Sequence, residues 1–202
     1  MARWFKIAGV GFLVLIVVAG GGVVWTYRAM VRSVPVLEGE VEIPGLAERA
    51  TVERDALGVP TIRASNRLDI ARALGFIHAQ ERFFLMDLLR RRAAGELAEL
   101  FGAAALEADR RSRMHRFRRR ARERVSELPE TARAGLVAYT EGVNAGLQAI
   151  RGRPFEYLLL RTDPEPWAEE DSVLTVFAMY FVLNDAYGRT ESNLGMLWDL
   201  LP

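Results

Sequence analysis

A mainly helical chain with a short N-terminal β hairpin, preceded by one transmembrane helix, is the fold class that three sequence features predict. Residues 7–25 carry no charge. Two short runs rich in Val, Ile and Thr flank Gly58-Val59-Pro60. From residue 69 onward, apolar residues recur at steps of three and four, the spacing of one face of an α-helix.

The uncharged segment comes first. As a helix rising 1.5 Å per residue it would span about 28 Å, close to the thickness of a bilayer's hydrocarbon layer. Arg3 and Lys6 precede it, and Trp4, Trp25 and Tyr27 lie at its ends, where amphipathic rings favour the membrane interface. A cleaved signal peptide is the rival reading, but Tyr27-Arg28-Ala29 is a poor cleavage site. An anchor over residues 7–25 is therefore expected, with residues 1–6 cytoplasmic and the body in the periplasm or outside the cell. Residues 26–47, with Pro35, Gly39, Pro44 and Gly45, read as an extended linker.

Ala50–Arg54 and Val59–Ala64 are the two expected strands. Asn66 or Asp69 then caps a helix running to Arg92 and ended by Gly95. Leu74, Ile77, Phe84 and Leu88 share one face, while Phe83, Leu85, Met86 and Leu89 widen it until the helix must be buried. Residues 96–101 form a short helix stopped at Gly102. Leu128-Pro129 opens a one-sided amphipathic helix through Ala132, Leu136, Tyr139, Val143, Leu147 and Ile150. Residues 152–167 read as a loop with a helical turn at 155–160. Asp171 or Ser172 opens a core helix too short to span a bilayer, and a last helix covers residues 191–201.

Composition narrows the chemistry. With 27 Lys+Arg against 26 Asp+Glu, no net field draws the chain to nucleic acid. The absence of cysteine removes thiolate catalysis and disulfides. Nine arginines lie between residues 110 and 124. A phosphate-binding patch for nucleic acid or lipid is one reading. A solvated helix whose arginines pair with Glu107, Asp109, Glu123 and Glu127 is favoured over it. His78 and His115 are the two histidines, and His78 reads as a hydrogen-bonded core residue. Glu169-Glu170-Asp171 suit a helix N-terminus, where the dipole stabilises negative charge. No catalytic constellation emerges from these residues.

Ordered motifs carry more. VERDALGVPTIRA, GFIHAQERFFLMDLLRRRAAGELAELFG, DRRSR, YTEGVNAG, PFEYLLL, PEPWAEEDS and ESNLGML follow one another across residues 34–202. In this order and spacing the chain resembles the α-subunit region of the penicillin acylase family. Thr61 stands where relatives commonly carry histidine, and Glu81 where aspartate is usual. Neither departure touches the family's mechanism.

The resemblance implies the α-chain portion of an αββα N-terminal-nucleophile hydrolase. In this family a precursor cleaves itself, and a Ser, sometimes Thr or Cys, becomes the first residue of the β chain. Its own α-amino group then serves as base. The implied reaction hydrolyses the amide of N-acyl compounds such as β-lactam side chains or acyl-homoserine lactones. Residues 48–202 would supply scaffold and acyl-pocket wall, with the β-chain region of the same precursor as partner. The nucleophile is expected beyond Pro202, so this chain alone should be inactive. A non-catalytic, membrane-anchored helical binding module derived from the family is the alternative. The resemblance places Phe181, Val182 and Asp185 at the acyl pocket and makes Glu191 a calcium ligand, a carboxylate being the hard donor this ion takes. No organic cofactor is implied. Without a β chain, Phe84, Leu88, Phe177 and Phe181 are expected to lie uncovered.

Overall fold

The computed structural model describes residues 2–35, 37–183 and 189–201. Their residues fall into two units, one formed by 1–41 and 148–165, the other by 42–147 and 166–202.

In the first unit, α1 (Ala2–Ser33) is one continuous helix. Its stretch Leu15–Ser33 is long and apolar enough to cross a membrane by length and composition. Residues 26–33, which the Pro/Gly pattern assigns to an extended linker, continue this helix instead. No proline or glycine falls between Gly22 and Pro35 to stop it. The expected turn at 155–160 is α7 (Phe155–Leu160), ended by Arg161 in the left-handed conformation at φ 55°. Arg153 and Asp163 pair at 2.5 Å across this segment.

The second unit opens with the expected hairpin. Strand β1 (Thr51–Arg54) pairs antiparallel with β2 (Pro60–Arg63), placing Val52 opposite Ile62. Asp55 shapes the turn, its Oδ1 accepting from the N–H groups of Leu57 and Val59 at 2.9 Å each. Gly58 supplies the positive φ of 78° that the turn requires.

Asn66 and Asp69 divide the capping of α2 (Arg67–Ala94) between them. Asn66 is the N-cap and accepts from Asp69 N–H at 2.9 Å. Asp69 is buried and accepts backbone N–H groups from Ala47 and Glu48 at 3.0 and 3.2 Å, tying the lead-in to the helix. The Ala47 N–H, then those of Glu48 and Asn66 and the charge of Arg72, hold its carboxyl below the usual range against the opposing effect of burial. A depressed acid stabilises the fold above its unfolded pKa of about 3.9, and that stability is lost as pH falls through the folded value. The urea midpoints of wild type and Asp69→Asn should therefore differ at neutral pH and converge in acid. A gap that persists at low pH would contradict this reading.

Gly95 ends α2 in the left-handed conformation, φ 74°. Helix α3 (Ala98–Phe101) stops at Gly102 as expected, where φ is 61°, and a 3-10 turn (Gly102–Ala105) then leads into α4 (Leu106–Arg113). The arginine-rich run is two helices rather than one. The chain breaks at Met114–Arg116, with Arg116 at φ 53°, before α5 (Phe117–Ser126).

Helix α6 (Glu130–Ala149) follows Pro129 as expected. Its buried residues are small ones: Ala138, Gly142, Val143 and Gly146. Against α2 the two backbones nearly touch. A Cβ at Gly142 would fall 2.0 Å from Arg72 O, and one at Gly75 2.2 Å from Tyr139 O. Helix α8 (Glu169–Leu183) completes the core, packing Leu174 and Ala178 with Ala93 and Ala94 of α2 and Phe117 and Ala121 of α5. In α9 (Arg189–Leu200) residues 190–200 are all exposed.

Candidate functional site

Helix α8 carries the site expected from the resemblance, and its two faces differ. Phe181 is half-buried, its ring 5.4 Å from that of Phe117 and 5.0 Å from that of His115. Val182, one residue on, is 69% exposed. A step of 100° around the helix separates them, so Phe181 leans on α5 while Val182 points outward. Asp185 lies outside the described residues. Val176, Met179, Tyr180 and Leu183 share the exposed surface with Val182. That face is apolar and open, able to take an apolar group or another chain by burial of its side chains. The uncovered residues are thus not the expected set. Phe84, Leu88, Phe177 and Phe181 are all half-buried, and Leu85 on α2 is exposed.

Glu191 sits exposed in the first turn of α9. Its carboxylate is a suitable donor for calcium. Among the described residues no group of three or more His, Asp or Glu could hold a metal ion.

Both histidines are engaged in packing. His78 Nδ1 shares a 3.0 Å hydrogen bond with the Tyr139 hydroxyl, the core role expected of it. Burial, then the charge of Arg82, pushes the imidazole below its usual pKa, partly offset by Glu81. Burial likewise raises the Tyr139 phenol. His115 stacks on Phe117 with centroids 5.1 Å apart.

A groove of about 500 Å³ with mixed polar and apolar walls lies among Arg122, Val125, Ser126, Arg133, Thr140 and Ala168–Glu170. Arg122–Glu170 at 2.9 Å and Arg133–Glu169 at 3.5 Å neutralise its charge.

Sequence reasoning missed a densely bonded part of the fold. Asp171 does more than cap α8. Its Oδ2 accepts from Ala168 N–H at 2.8 Å, the return half of a capping box. It also accepts from Arg90 Nη1 at 2.5 Å, while Oδ1 accepts from Arg118 Nη1 at 2.6 Å. Asp87 on α2 accepts from Arg90 Nε at 2.6 Å and Arg91 Nε at 2.9 Å. Arg118 further bonds Glu96, and Arg91 bonds Glu99. Burial works to lower the Arg118 pKa, but Glu96 and Asp171 together raise it. Beside this lattice, Asn144 clamps Trp167, donating to its carbonyl at 2.9 Å and accepting its N–H at 2.7 Å. The Trp167 indole donates to Ser172 Oγ at 3.1 Å and lies under Arg90 at 5.2 Å. The available signal was a helix read as buried yet holding Asp87, Arg90 and Arg91, because buried charges require partners.

Interior arginine–carboxylate bonds hold the helices of this mainly helical unit together, and one apolar helix face is left open. The chain belongs to the penicillin amidase family, whose model matches residues 49–197. It is 43% identical over 174 residues to penicillin acylase 2 proenzyme of Pseudomonas sp. (strain SE83), a match covering 86% of this chain and 22% of that protein. It is 36% identical over 156 residues to the acyl-homoserine lactone acylase QuiP of Pseudomonas aeruginosa, covering 77% of this chain and 18% of that protein. Among solved structures it is similar to thermostable penicillin G acylase from Alcaligenes faecalis, with a TM-score of 0.57 and 29% identity, covering 63% of this chain and 69% of that one. The chain thus spans about a fifth of the length of the curated relatives it matches.

Proposed function

We propose that this chain is the N-terminal, membrane-anchored helical part of an amidase that hydrolyses N-acyl compounds after autoproteolytic maturation. The observation that carries the reading is the unbroken family match over residues 49–197. The similar proteins are named for acylase activity on penicillins or acyl-homoserine lactones, and either substrate class suits the proposal. In it, residues 48–202 provide scaffold, and the outward face of α8 becomes apolar wall once a β-chain region lies over it. The nucleophile and its α-amino base belong to that region. The similar protein called a proenzyme supports processing. Glu191 contributes one oxygen to a structural calcium site completed elsewhere. Helix α1 tethers the body to the inner membrane, with the body in the periplasm or outside the cell.

The test is to express the reading frame continued past codon 202. Mass spectrometry is expected to find two chains, the second starting at Ser, Thr or Cys, and the product should release amine from N-acyl substrates. A single unprocessed chain without turnover would overturn the proposal in favour of a non-catalytic binding module. Resistance of the chain to alkaline extraction from membranes tests the anchor separately.

A further inference from the structure

We propose that the exposed arginines of α4 and α5 form a docking surface for the anionic headgroups of a phospholipid bilayer. It rests on the membrane-tethered reading above, since a tether keeps a bilayer at high local concentration. The structure sorts the nine arginines of residues 110–124 into two groups. Arg118 bonds Glu96 and Asp171, and Arg113 donates to the carbonyl of Gly95 at 2.7 Å. The other seven are exposed. Four carboxylates answer them: Glu107 beside Arg110 and Arg111, Glu123 beside Arg119, Glu127 beside Arg124, and Glu170 beside Arg122. Asp109, the further partner expected from sequence, is buried and accepts from the backbone N–H groups of Leu97 and Ala98 at 2.9 and 2.7 Å. Guanidinium groups therefore outnumber carboxylates on this surface. Among the described residues, Arg116 and Arg120 enter no ion pair.

Two further observations select the ligand. Met114 is 75% exposed and Leu106 47%, so apolar tips project from the same arginine-rich stretch. Guanidinium pairs with phosphate by two parallel bonds, and apolar tips enter the headgroup layer, the combination found on interfacial segments. Nucleic acid fits less well, because Phe117, the aromatic residue within the run, is buried against Phe177 and Phe181. It offers no face on which a base can stack.

The chain has no cysteine, so Met114→Cys gives a single attachment point for an environment-sensitive fluorophore on the full chain. The labelled chain is reconstituted into phosphatidylcholine vesicles with and without phosphatidylglycerol, and insertion of α1 is read independently by alkaline extraction. We expect a blue shift and quenching by headgroup-level quenchers only with phosphatidylglycerol, reversed by high salt. Arg116→Gln/Arg120→Gln should raise the anionic-lipid fraction needed for half-maximal response several-fold, from about fivefold in affinity per arginine. A response equal in both vesicle types, or indifferent to salt and to the double variant, would overturn the proposal even with α1 inserted. An equal response to a free DNA duplex would overturn it as well. Extraction of α1 by alkali would instead overturn the tethered reading, and the response to anionic vesicles would still decide the arginine surface.

Discussion

Asp171→Ala is expected to lower stability by about 3–5 kcal/mol, the cost of removing one partner from a buried ion pair. Asp171 and Arg90 are both almost wholly enclosed, at 1% and 3% exposure. Without this carboxylate, Arg90 keeps Asp87 and the carbonyl of Pro166 but loses the charged partner that accepts from its Nη1 at 2.5 Å. Among the described residues Arg118 keeps only Glu96, and Ala168 N–H loses its acceptor. Water cannot readily replace the carboxylate at an interior site, so the desolvation cost of the charges stays uncompensated. Asp171→Asn preserves volume and one carbonyl oxygen, and should cost less than alanine but remain clearly destabilising. Arg124→Ala is the contrast. Its pair with Glu127 is 71% and 62% exposed, and such pairs contribute less than about 1 kcal/mol. Urea midpoints followed by circular dichroism of the chain in detergent micelles should rank the three variants in that order. An Asp171→Ala midpoint close to that of Arg124→Ala would mean that the lattice does not stabilise the fold.

The same lattice shows where sequence and structure part. Local signals were legible wherever one residue decides one bond. Gly58 in its turn, Asn66 at its cap, Gly95 at its helix end and the turn at 155–160 all stand where their side-chain chemistry puts them. Periodicity also located α6 and α8. Signals that depend on a distant partner were not legible. Asp109 is within bonding distance of several arginines in sequence, yet it caps α3 because the chain folds back after Gly95. The break at Met114–Arg116 was hidden because neither glycine nor proline marks it, and Arg116 itself adopts the left-handed conformation. The resemblance places Phe181 and Val182 together, but which of them meets α5 depends on the azimuth of α8, set by tertiary packing of Leu174 and Ala178. The motif YTEGVNAG carried family resemblance without a visible physical reason, and the packing of α6 on α2 supplies it.

Gly142→Leu is the second large effect expected, and the contact geometry gives its direction. Gly142 and Gly146 are one helical turn apart on α6, facing α2. Added Cβ atoms would lie 2.0 Å from Arg72 O and 2.3 Å from Phe76 O. Real carbon–oxygen contacts do not approach that closely, and the obstacle is backbone rather than a flexible side chain that could turn aside. The helices must then separate, and the hydrogen bond of His78 with Tyr139 and the clamp of Asn144 on Trp167 both span elements whose spacing this crossing sets. Overpacking in a tight core costs about 1–3 kcal/mol for added methylenes. A clash with backbone along a whole crossing should reach the upper end of that range or exceed it, with Gly142→Ala intermediate. Gly135, on the same helix with nothing within 4 Å of its Cβ position, provides the opposite sign. Gly135→Ala removes the entropic penalty of glycine in a helix and should stabilise by about 0.5–1 kcal/mol. Helix propensity alone would predict a gain at both positions, so a stable Gly142→Ala variant would show that α2 and α6 do not pack this closely, whereas opposite signs at residues 135 and 142 are what close backbone approach demands.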